Sequence, residues 1–212
     1  YNKHTVYTKR SAGLLAGTCA LSISKKLPIL GGVSGVATAP DLRRSGIGTE
    51  VCRQATEDFQ INGGQGVFLG TGNPEAARIY HRLGWRKLAG SAVMANITGG
   101  ETPEAFLVDY FREKSETNII SATPEIRLAM IPLLHSPHDW QILDANTSMY
   151  STRYSIQTSC MGLYRKYVAV RQGNQGEIFC AQTKNGRTVG LSTALVNNDG
   201  SCQIDGFTHL YY

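Results

Sequence analysis

The sequence has no C-x-x-C pair; its five cysteines, Cys19, Cys52, Cys160, Cys180 and Cys202, stand far apart. That spacing excludes a zinc ribbon or a thioredoxin-like motif and reads as buried free thiols of a reducing compartment. No apolar run approaches the roughly 20 residues of a membrane helix, and no signal peptide is visible. A cytoplasmic protein with no membrane partner is expected. Residue 1 is Tyr rather than Met, so the chain is read as a piece of a longer one. Aromatic interleaving among the basic residues is also missing, which argues against a nucleic-acid partner.

What is present suits a folded globular chain. Hydrophobic residues make up 42% of 212, enough for a core in one large or two small domains. Charge is uneven. Residues 1–98 hold twelve Lys/Arg against five Asp/Glu, and residues 99–212 nine against eleven. The basic half points to a small polyanionic ligand.

Periodicity orders the first half. Residues 5–24 read as two strands around a Ser-Ala-Gly turn, and 31–40 as a third strand stopped by Pro40. From Ile47 the period changes, with Ile47, Val51, Ala55 and Phe59 on one helical face. Residues 67–70 read as a buried strand. Residues 73–85 read as a helix with Asn73 at its N-cap, Pro74 at its first position and Gly84 at its end. Residues 89–98 read as a strand.

Residues 99–116 read as a connection containing a helix. Then the pattern restarts, with a strand at 117–123 and a helix from 124 that Pro132 interrupts. The stretch 137–166 reads as helix and loop. A hairpin at 176–196 turns on Asn185-Gly186 as a type I′ turn, and a strand runs over 201–210. Hairpin plus strand at 5–40 is echoed at 177–210, so two tandem copies, cut at both ends, are expected.

The segment "ATAPDLRRSGIGTE" (37–50) places two arginines and two glycines where a strand becomes a helix. Glycine admits a ligand close to backbone, a helix start offers free N–H groups, and arginine offers forked donors to phosphate. An anion at this turn is the reading. The turn lacks the Gly-Lys-Ser/Thr ending of a P-loop.

Two motifs in order, Arg43-x-x-Gly46-x-Gly48 and Asn73-x-x-Ala76-x-x-x-Tyr80 followed by Gly84-Trp85, resemble the GNAT superfamily of acyl-CoA N-acyltransferases. The resemblance covers about 5–98 well and 117–210 only by order of elements. It implies an α/β fold, GNAT-like, with a mixed, mostly antiparallel sheet flanked by helices, in two partial copies. Residues 1–98 would be the C-terminal part of a first domain and 117–212 the N-terminal part of a second. It implies acetyl-CoA as co-substrate, with its pyrophosphate cradled by Arg43, Arg44, Ser45, Gly46, Ile47 and Gly48. Val36, Ala37 and Thr38 would pair with the pantetheine amides along a splayed strand. Asn73 either contacts the cofactor or caps its helix, and Ala76 stands beside it in the motif. Tyr80 is the candidate acid for the departing thiolate.

The function implied is direct acetyl transfer to an amine. A non-catalytic acyl-CoA sensor or scaffold is the alternative. No general base is identifiable, because strand 31–40 has no Asp or Glu. Asp205 and His209 lie on the matching strand of the second copy. His135 and His138 have metal-like spacing only on a helix, which Pro137 opposes, so no metal is expected. Pairing of the copies within the chain or as a homodimer is expected.

Overall fold

The computed structural model describes residues 1–173 and 176–212. Strands β1 (Asn2–Ser11) and β2 (Leu14–Ser24) form a hairpin on Ala12 and Gly13, both at positive φ. They are followed by β3 (Leu30–Thr38), α1 (Ile47–Ile61), β4 (Gly66–Gly70) and α2 (Pro74–Arg82). A two-residue strand β5 (Arg86–Lys87) then pairs with β6 (Val93–Ile97). The sheet order is β1-β2-β3-β4-β6-β5, antiparallel except between β3 and β4.

The two faces of this sheet pack differently. On one, Val51, Cys52, Ala55 and Phe59 of α1, with Tyr80 of α2 and Trp85, meet Tyr7, Cys19, Leu21, Val33 and Val67. This is the every-fourth-residue face of α1 at work. On the other, Leu30, Phe68, Val93 and Ala95 meet α3 (Pro103–Arg112) and α4 (Ile126–His135). Helix α3 lies in the stretch read as a connection, yet it buries Phe106, Leu107, Tyr110 and Phe111.

The second half builds its own sheet from β7 (Thr117–Ser121), β10 (Gly176–Thr183), β11 (Thr188–Val196) and β12 (Cys202–Thr208), in the order β12-β11-β10-β7. All its pairs are antiparallel. Helix α5 (Tyr164–Gln172) packs on β10 and β11, and α4 on β11. The other face of this sheet carries Ile119 and Ile204, both exposed. The two sheets stay separate, but one hydrophobic core joins them, running from Leu30 and Phe68 through α4 to Leu191 and Phe207.

Four local expectations are corrected. Helix α4 runs through Pro132 instead of stopping there. Nine of its ten residues are buried between the sheets, which outweighs the roughly 3 kcal/mol an interior proline costs. Ser136 closes it, donating its N–H and hydroxyl to the Pro132 carbonyl at 3.0 and 2.8 Å. Residues 137–166 hold a small hairpin, β8 (Ile142–Asp144) with β9 (Met149–Tyr150). The 176–196 turn is not type I′, because only Gly186, at φ 90°, has positive φ there. The Thr183 N–H reaches the Arg187 carbonyl at 2.9 Å, so the loop has three residues, the length that suits a type I turn and a glycine bulge. Of the five free thiols, Cys202 is exposed.

Candidate functional site

Strands β3 and β4 run in parallel register only from Leu30–Gly66 to Gly32–Phe68. Beyond that pair β3 continues to Thr38 with no strand partner on this side among the described residues, and β4 ends at Gly70. The sheet therefore opens into a V whose β3 edge carries unpaired backbone groups. Such an edge accepts a strand-like ligand.

On its other side β3 pairs with β2, but unevenly. Thr18 faces Ala37 and Ala20 faces Ser34, so Gly35 and Val36 stand opposite the single Cys19. This is a β-bulge. Gly35 adopts φ 59°, and the Thr18 hydroxyl donates to its carbonyl at 2.8 Å. The bulge turns the Val36–Thr38 backbone relative to the rest of the strand. Val36 packs partly onto the α1 side, Thr38 is half-buried and Ala37 is exposed. The readings for 31–40 passed over Gly35 and Thr18, although a glycine inside a strand pattern signals a bulge.

At the end of β3 the chain makes one 3-10 turn, Pro40–Leu42, and enters α1. Gly46 is the N-cap at φ 87°, and Arg44 also has positive φ, 65°. Among the described residues no side chain caps this helix, so the first-turn N–H groups are left for another acceptor. The Ser45 hydroxyl is turned back onto the Leu42 carbonyl, at 2.6 Å. A Cβ added at Gly46 would meet nothing within 4 Å, so the space before the helix is open. Ile47 and Gly48 are half-buried, and Gly48 lies close to the Thr38 hydroxyl, which ties the turn to the strand. Arg43 and Arg44 are exposed and in no ion pair among the described residues.

Helix α2 borders the same face. Asn73 is its N-cap, and its side-chain oxygen accepts from the N–H groups of Glu75 (2.9 Å) and Ala76 (3.4 Å). Of the two readings of Asn73, the cap is the contact the structure contains. Ala76 packs against the core on the α1 side. Tyr80 is 6% exposed, with its ring tilted on Trp85 at 5.9 Å. Burial pushes its phenol up, and the neighbouring Cys52 and Cys19 thiols add to this. Like an ordinary tyrosine phenol, it stays protonated at neutral pH.

The remaining candidates lie elsewhere. Asp205 accepts from the Ala145 N–H at 2.7 Å. His209 stacks on Phe111, at 3.9 Å between ring centres. His135 ends α4, and the His138 Nε2 sits 2.8 Å from the Leu133 carbonyl.

An open strand edge, an uncapped glycine turn at a helix start and a buried phenol on the bordering helix belong to one α/β scaffold. Residues 2–87 match the family model described as Acetyltransferase (GNAT) domain. This segment contains the whole turn and all of α2. No curated protein matches the chain. Among solved structures it is similar to a Bacillus subtilis acetyltransferase in complex with CoA, at 25% identity over 38% of this chain and 53% of that one, TM-score 0.35. It is similar to the ribosomal-protein-S18-alanine N-acetyltransferase from Escherichia coli, at 15% identity over 45% and 69%, TM-score 0.38. A tandem GNAT protein from the clavulanic acid biosynthesis pathway aligns with all of this chain and 65% of its own, at 12% identity and TM-score 0.37. The chain spans 61% and 53% of the first two solved structures it matches.

Proposed function

We propose that residues 1–98 form the cofactor-binding part of an N-acetyltransferase that moves an acetyl group from acetyl-CoA directly to an amine. Residues 99–116 would connect it to a second, GNAT-like unit at 117–212. The observation that carries this reading is the parting of β3 and β4 beside the uncapped start of α1. A pyrophosphate suits the N–H groups of Ser45–Gly48, with Arg43 and Arg44 beside it. The pantetheine amides suit the free edge at Val36, Ala37 and Thr38. The thioester would then lie in the mouth of the V.

In that geometry the amine attacks the thioester carbon, and the carbon–sulfur bond breaks. The Tyr80 hydroxyl gives its proton to the departing sulfur. The amine also gives up a proton; β3 offers no carboxylate to take it, and no general base is assigned.

Calorimetry with CoA and acetyl transfer to a panel of amines test the reading. Micromolar CoA binding that Gly46→Val abolishes, together with transfer, supports it. CoA binding without transfer to any amine favours the sensor or scaffold. No CoA binding overturns both.

A further inference from the structure

Two glycines beside the parting of β3 and β4 face the second half of the chain. Gly32 is the last β3 residue in register with β4, and a Cβ there would lie 2.5 Å from the Met161 Sδ and 3.0 Å from its Cγ. Gly70 ends β4, and a Cβ there would lie 2.9 Å from the Thr158 carbonyl oxygen, 3.0 Å from the Ser159 Cα and 3.3 Å from the Cys160 nitrogen. One short segment, 158–161, therefore lies against both strands of the V. It meets β4 with backbone and β3 with the Met161 side chain.

Exposure along β3 shows where this cover stops. Gly32 is buried, whereas Ser34, two residues on and so on the same face, is exposed. The other face is closed by first-half side chains, because Val33 and Leu69 are buried in the core under α1. Beyond the two glycines, the room out of the sheet plane is thus limited by the second half, and at the apex by Met161.

The direction of the ligand follows from the transferase reading, on which this inference rests. Pyrophosphate at the start of α1 lies past Thr38, and the pantetheine amides lie at Val36, Ala37 and Thr38. The ligand then runs along β3 toward the apex, and its acyl end comes last. The spacer from the last amide to the thioester carbon is roughly 5 Å of extended chain, which puts that carbon near Ser34. Gly32 is two residues further, roughly 7 Å. An acetyl methyl stops well short of Met161. A pentanoyl chain, four carbons beyond the carbonyl and roughly 5 Å long, runs into the thioether.

We infer that Met161, supplied by the second half, closes the acyl end of the site and restricts the donor to short acyl groups, acetyl over pentanoyl. The second half would then set the donor specificity of the first. Met161→Ala removes Cγ, Sδ and Cε, close to the three carbons by which pentanoyl exceeds acetyl. Met161→Leu keeps most of the volume.

Calorimetry on the intact chain with acetyl-CoA and pentanoyl-CoA tests this, with melting temperatures for each variant. The unsubstituted chain should bind acetyl-CoA at least tenfold tighter. Met161→Ala should bring the ratio below threefold by tightening pentanoyl-CoA, and Met161→Leu should keep it. Met161→Val, a smaller truncation, stands in if the alanine variant does not fold, and it too should lower the ratio. Equal binding of the two thioesters by the unsubstituted chain, or a ratio that survives truncation, overturns the inference. Binding of neither thioester overturns it together with the transferase reading. Acyl transfer separates the two. Transfer from both donors with equal kcat/KM keeps the transferase and removes the barrier at Met161. A preference that depends on Met161, without transfer to any amine, keeps the barrier and removes the transferase.

Discussion

Gly32 and Phe68 are the last residues of β3 and β4 to face one another in register. Past them β3 and β4 no longer pair with each other, while β3 stays paired to β2 and β4 to β6. Phe68 stays fully buried, so the divergence begins from a fixed point. A Cβ on Gly32 would fall 2.5 Å from the Met161 sulfur and 3.0 Å from Leu128 Cδ2, so second-half side chains press on this point.

Gly46→Val should weaken CoA binding at least tenfold. At φ 87° a β-branched residue is strained, by about 1–2 kcal/mol, and its methyl groups enter the open space before α1. Gly46→Asn is the control, since asparagine tolerates this conformation. Calorimetry with CoA, with melting temperatures for both variants, checks the assignment. Unchanged affinity in the valine variant would remove the turn from the binding site.

Tyr80→Phe should lower kcat by about 10²–10⁴-fold and leave the KM for acetyl-CoA nearly unchanged. The ring and its packing on Trp85 are retained, so the fold should persist. The defect should shrink with an activated thioester, whose thiolate needs less protonation. Wild-type kcat in Tyr80→Phe would leave Tyr80 as a core aromatic.

Asn73→Ala should cost about 1 kcal/mol of stability through loss of the α2 cap. If capping is its whole role, CoA affinity should not change. Denaturant unfolding and calorimetry on the same variant separate the two effects.

Acid should destabilise the protein below its usual range. Burial lowers the His135 imidazole from its ordinary 6.5 to about 4. Between those values the unfolded chain binds a proton that the folded chain does not, so stability rises with pH. His135 should contribute nothing to the slope above pH 6.5, and its stabilising effect should be lost as pH falls from 6.5 to 4. The loss is on the order of 3 kcal/mol. His209, which burial and His138 lower to about 4, acts in the same direction. Melting temperatures from pH 7.5 to 4.5 should fall, and His135→Leu should flatten the fall. An equal slope in that variant would assign it to other groups.

Ellman's reagent should react rapidly with one thiol per native chain. Cys202 is exposed, and the other four cysteines are buried. The neighbouring Cys19 thiol, together with burial, raises the Cys52 thiol. Cys202→Ser should abolish the fast phase, and a persisting fast phase would show that a buried thiol is reached.

The sequence by itself determined the local elements of the first half. The four-residue spacing from Ile47 to Phe59 produced α1, and Asn73-Pro74 produced the start of α2, because caps and amphipathic faces act within a few residues. Two glycines and two arginines at 43–48 marked the turn, since an uncapped helix start needs nothing distant to form it. Tertiary structure alone decided the rest. Pro132 reads as a helix breaker, and only burial of α4 between two sheets carries the helix past it. The bulge at Gly35 depends on the register of β2, and the mouth depends on where β3 leaves β4. The packing of Met161 over Gly32 joins residues from opposite halves of the chain. No local pattern encodes that meeting, because it follows from one hydrophobic core shared by both halves.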